Sequence, residues 1–140
     1  MIVNCNFEEL TALRAGVRQV LDSYVPERGV VAAPPEERER AAALLPRLDG
    51  DLSVETLAEQ QALCGAVTAI VEILRVEMEA TVTTTHPADE GAVAAYFDFA
   101  HAFSVLSRLQ ELGRGMRAMI ELVTGGPVSD HLEREFVFPD

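Results

Sequence analysis

The chain has 140 residues, 23 carboxylates against 11 cations for a net charge of −12, and 49% apolar residues. That length serves one domain, 1–140, with a buried core, and the composition excludes a disordered chain. Every cation is an arginine, which excludes Schiff-base, phosphate-loop and general-base lysine chemistry, and the acidic balance argues against direct nucleic-acid binding.

Met1, Val3, Cys5 and Phe7 alternate with Asn4 and Asn6, so the first residues read as a short strand. The comparable β-prone run is Glu135-Phe136-Val137-Phe138 near the other end, which makes the two termini candidates for a small ribbon, marginal on its own. No basic region precedes an apolar block at the N-terminus, so no signal peptide is expected. The charge-free residues 60–71 fall short of the roughly 20 apolar residues that cross a bilayer. A cytoplasmic protein with no membrane association is expected.

A first helix is predicted over 7–24. Asn6 is a good N-cap, and Glu9 stands at the capping-box position. Phe7, Leu10, Leu13, Val17, Val20, Leu21 and Tyr24 form its apolar stripe, with Pro26 and Gly29 to end it. A second helix over 35–46 follows Pro34-Pro35, with Glu36 and Glu37 in the first turn and Pro46 limiting its end. Asp49-Gly50-Asp51 is a turn, and Ser53 is read as the N-cap of a third helix over 54–82, closed by Thr83 to Thr85 and His86-Pro87. A fourth helix over 88–124 begins with Asp89 and Glu90 and stops at Gly125-Gly126-Pro127. Helices three and four, joined by a short loop, should form an antiparallel hairpin. The fold class is therefore all-α: a bundle of about four helices dominated by that hairpin, with a short terminal β segment.

At about 100° per residue the fourth helix shows distinct faces. Val93, Tyr96, Phe99, Phe103, Leu106 and Gln110 make a large-residue stripe, read as the core face, while Ser104, Ser107, Arg108 and Glu111 face solvent. Gly91, Ala94, Ala95, Asp98, His101, Ala102 and Val105, then Leu109 and Leu112, form a third face that reads as a small-residue seam. Helix three has a similar seam in Ala58, Ala62, Gly65, Ala69 and Val76, so the two seams should meet in the hairpin or face a second subunit.

Asp98 is the one charge between Glu90 and Arg108, three residues before His101. Folding the hairpin near residue 86 brings it level with Arg75, the one cation between Arg47 and Arg108, so a structural Asp98–Arg75 ion pair is expected. The alternative is a metal- or small-ligand-binding bundle centred on Asp98 and His101, with Glu72 as a third ligand. Asp98-Phe-Ala-His101 resembles half of the acid-x-x-His pattern of di-iron bundles, but helices one and two contain no histidine to complete it. Cys5, Cys64, His86 and His131 share no ligand spacing, and Cys64 lies mid-helix among Leu63, Gly65 and Val67. No catalytic set and no cofactor are implied.

Residues 48–90 carry nine carboxylates, Glu72 and Glu79 among them, against Arg75 alone, a net of −8. Such a face suits a basic protein partner. Phe97 falls near the polar side of helix four, where an aromatic marks a partner or self-association contact. The sequence therefore points to a non-catalytic interaction module (an adaptor, inhibitor or immunity-type protein), expected to form a homo-oligomer, a dimer, with Phe97, Glu72 and Glu79 as contact residues.

Overall fold

Asn6 opens the first helix, α1 (Phe7–Leu21), through the reciprocal bonds predicted for it. Its side chain accepts the Glu9 N–H at 2.8 Å, and the Glu9 carboxylate accepts the Asn6 N–H at 2.9 Å. The computed structural model describes residues 1–22, 34–84 and 89–126. Tyr24, Pro26 and Gly29, with which the first helix was expected to end, lie outside them, as do His86, His131 and the 135–138 run.

Pro34 and Pro35 start α2 (Pro35–Leu44), with Glu36 and Glu37 in its first turn, and Pro46 lies in the 3-10 turn Leu45–Arg47 that follows. Two long helices complete the bundle, α3 (Leu57–Thr84) and α4 (Glu90–Thr124), the latter ended by Gly125 in the left-handed conformation with φ 72°. A left-handed terminal residue favours glycine because it has no Cβ to clash. The all-α bundle with its dominant α3–α4 hairpin is what the sequence predicts.

The β segment is placed differently. Strand β1 (Ile2–Val3) pairs antiparallel with β2 (Leu52–Ser53), in the register Ile2 opposite Ser53 and Val3 opposite Leu52. The Val54 N–H and the Met1 carbonyl close the ladder at 2.7 Å. Ser53 thus belongs to a strand and does not cap a helix. Thr56 takes the capping role, its hydroxyl accepting the Glu59 N–H at 3.1 Å.

One apolar core joins all four helices and the ribbon, with Leu13, Val17, Leu48, Leu52, Leu57, Val67, Ile70, Leu109, Met116 and Ile120 buried in it. Two glycines set how closely its helices approach. A Cβ on Gly16 of α1 would overlap Ile70 Cγ2 of α3, and one on Gly113 of α4 would lie 2.5 Å from Gln60 Nε2. Gln60 is buried and satisfied, donating that amide to the Leu109 carbonyl at 2.7 Å.

The faces of α4 depart in part from those expected. Its buried residues are Ala92, Ala102, Val105, Leu106, Leu109, Gly113, Met116 and Ile120: Ala102, Val105 and Leu109 come from the seam and Leu106 from the expected core stripe, while Gly91 and Ala94 of the seam are exposed. Val93, Tyr96 and Phe103 of the supposed core stripe are exposed, and Phe99 is only partly buried. Small side chains let α4 approach close to its neighbours, and the bulky aromatics are left on the outside. Part of the α3 seam faces α2. Gly65 faces Arg40 of α2, and Ala62 and Ala66 line a shallow groove against Arg40, Ala43 and Leu44.

By length and composition α3 is apolar enough to cross a membrane over one window, 57–74, which holds the two carboxylates Glu59 and Glu72. Half of that window is buried inside the bundle.

Candidate functional site

The first half of α4 carries a run of rings on consecutive turns. Tyr96 meets Phe97 edge-on at 5.6 Å, Phe97 stacks on His101 at 6.3 Å, and Phe99 lies against Phe103 at 5.9 Å. Most of these rings face outward. Val93 is 41%, Tyr96 54%, Phe97 52% and Phe103 50% exposed, and Phe7 at the start of α1 is 74% exposed. The exposure expected for Phe97 is observed; that of Tyr96 and Phe103 was missed because large apolar residues were assigned to the core.

The beginning of α1 and this part of α4 flank an open depression of about 220 Å³ lined by Phe7, Glu8, Thr11, Ala94, Phe97, Asp98 and His101. The capping box fixes where α1 starts and so puts Phe7 and Glu8 at the rim. Asp98 and His101, three residues apart on one face, supply polar groups. Burial pushes the Asp98 carboxyl above its ordinary value, against a smaller downward pull from His101. No arginine lines the depression.

The expected Asp98–Arg75 ion pair is not formed. Arg75 is engaged along its own helix by Glu72 and by Glu79, the latter at 2.7 Å. Partners at three and four residues' distance need no second helix to reach. The guanidinium accordingly holds the Glu72 carboxyl below its ordinary value, offset by a little burial. Asp98 was expected to face α3; it looks instead toward the start of α1.

The structure likewise does not bring Glu72 to Asp98 and His101. Among the described residues no group of three His, Cys, Asp or Glu side chains is placed to hold a metal ion. Cys5 and Cys64 are free, and burial raises both thiols, which disfavours the reactive thiolate.

Beside the depression Arg108 of α4 reaches Glu9 of α1 and also donates to the Asn4 carbonyl. Sequence reasoning assigned Arg108 to solvent. No periodicity could reveal this contact, since it depends on where α1 crosses α4.

Compared with known proteins, the chain matches no family model, no curated protein and no solved structure.

Proposed function

We propose that this protein is a non-catalytic interaction module that binds a protein partner through the outward face of α4, with Phe7 of α1 at its edge. The observation that carries this reading is the exposure of Val93, Tyr96, Phe97 and Phe103 within eleven positions of one helix. Exposing one apolar residue is ordinary, whereas several neighbouring ones mark a contact surface. Aromatic anchors of this kind dominate binding energy when a partner excludes water from them.

The acidic surface gives the partner's charge. Residues 48–90 carry Arg75 alone against nine carboxylates, and Arg75 is already paired with Glu72 and Glu79. A basic partner is steered toward such a surface and a second acidic copy is repelled from it. This favours a heterologous partner over the homodimer expected from the sequence.

The test compares affinity-tagged wild type with the Tyr96→Ser/Phe103→Ser double variant at matched melting temperature. A protein retained by wild type, reconstituted from purified components and released by the double variant supports the reading. Equal retention by both proteins, or a wild type that retains nothing specifically, refutes it. Light scattering of both proteins over a concentration series reports self-association through the same face.

A further inference from the structure

We propose that the outer end of the α3–α4 hairpin, residues 75–84 and 90–101, is a separate cooperative unit that opens and recloses while the rest of the bundle stays folded. This inference goes beyond the interaction-module reading and does not depend on it.

The core stops short of that end. Its last members on α3 are Ile73 and Leu74, and its first on α4 is Ala102. On the core side of this line α3 buries Leu63, Val67 and Ile70, and α4 buries Val105, Leu109, Met116 and Ile120. Beyond it, among the described residues of the two helices, those buried are Ala80 and Ala92. Neither belongs to the core cluster, and an alanine takes far less apolar surface out of water than a leucine or isoleucine does. Larger apolar residues are present there, but Val82, Val93, Tyr96 and Phe97 are exposed, and Phe99 is partly buried where the core begins.

Other contacts at this end are local. Arg75 pairs with Glu72 and Glu79 of α3 itself, and the ring contacts of Tyr96, Phe97 and His101 run along α4. Contacts between residues a turn apart support one helix without fastening it to another. From α1, Phe7, Glu8 and Thr11 flank α4 as far as Ala94, and Phe7 is itself mostly exposed there.

A stretch with so few buried apolar residues lies at the low end of the stability range within a fold. Because α3 packs mainly on α4, the cover that one helix loses on opening is lost by the other too, so the two stretches open together. The line also divides the aromatic face. Phe103 stands on the firm side, whereas Val93, Tyr96 and Phe97 ride on the yielding one, which lets the face adjust its shape to what it meets.

Native-state hydrogen exchange of the full chain tests this, followed residue by residue by nuclear magnetic resonance over a series of low urea concentrations. The amides of 76–83 and 94–101 are expected to share one opening equilibrium. Their protection should be about tenfold or more below that of 63–74 and 105–120, with little dependence on urea. Ala92→Gly should lower protection about two- to fivefold in 94–101 and, across the pair, in 76–83 as well, leaving 105–120 unchanged.

Protection that continues undiminished along α4 from 120 to 94 overturns the proposal. So does a gradual fall toward the end of each helix with no shared value, which is ordinary fraying. An Ala92→Gly effect confined to α4, or one that reaches 105–120 equally, also overturns it, because the two stretches then open separately or only with the whole bundle.

Discussion

Arg108 closes on Glu9 across the α1–α4 contact, joining side chains 99 positions apart in the chain. Glu9 is only 5% exposed, and the same carboxylate accepts the Asn6 N–H that starts α1. One residue thus caps a helix and fastens it to another. Arg108→Ala leaves that buried carboxylate without its cation and should destabilise the fold by about 1–3 kcal/mol, read as a lower urea midpoint at neutral pH.

The same pair gives the fold a pH dependence. Burial alone would push the Glu9 carboxyl up, but the Asn6 N–H and Arg108 outweigh it and hold it below its ordinary value of 4.5. A depressed carboxyl favours the folded state when ionised, so its contribution is present above the ordinary value and is lost as pH falls through the folded one. Urea unfolding from about pH 6 down to about pH 3 should show this loss, and Glu9→Gln should flatten that part of the curve.

Asp98 carries the opposite sign. Its carboxyl is raised, so ionisation works against the folded state, and stability is gained as pH falls through the raised value. Asp98→Asn should therefore raise the melting temperature at neutral pH. The gain should disappear well below the ordinary value of 3.8, where wild type is also neutral. Equal melting temperatures of the two proteins at neutral pH would contradict it.

Two neighbouring glycines should respond in opposite directions. Gly115 has open space around it, and Gly115→Ala should stabilise by about 0.5–1 kcal/mol through helix propensity. A Cβ at Gly113 strikes Gln60, whose amide is held on Leu109. Gly113→Ala should be net destabilising, since overpacking costs about 1–3 kcal/mol. Chemical denaturation of the two variants side by side decides this.

The buried and exposed faces of α4 make a sharper contrast. Ile120→Ala removes a buried side chain and should cost about 2–5 kcal/mol. Tyr96→Ser, at a half-exposed position, should cost less than about 1 kcal/mol. Comparable losses of melting temperature would show that the aromatic face belongs to the core.

The helices were legible because their ends are written locally, in Asn6 with Glu9, in Pro34-Pro35 and in Gly125. Which apolar face of α4 turns inward was not legible. Periodicity finds two such faces, and residue size favours the aromatic one; the choice depends on how closely α3 can approach, which Gln60 and Gly113 decide from different helices. The β1–β2 pairing escaped for a related reason, because two-residue strands carry too little pattern to name a partner. Phe97, Asp98 and His101 were singled out in the sequence and share one depression, whereas Phe7, Glu8 and Thr11 join it only through the crossing of α1.

With Ala102, Leu109, Met116 and Ile120 turned inward and Tyr96, Phe97 and Phe103 outward, core and surface are written on different positions of the same helix. Tyr96, Phe97 and Phe103 can be exchanged with little disturbance to Met116 or Ile120. Relatives of this chain can therefore diverge in what they contact while keeping one bundle, and a designer can graft a new contact surface onto α4 without repacking its interior.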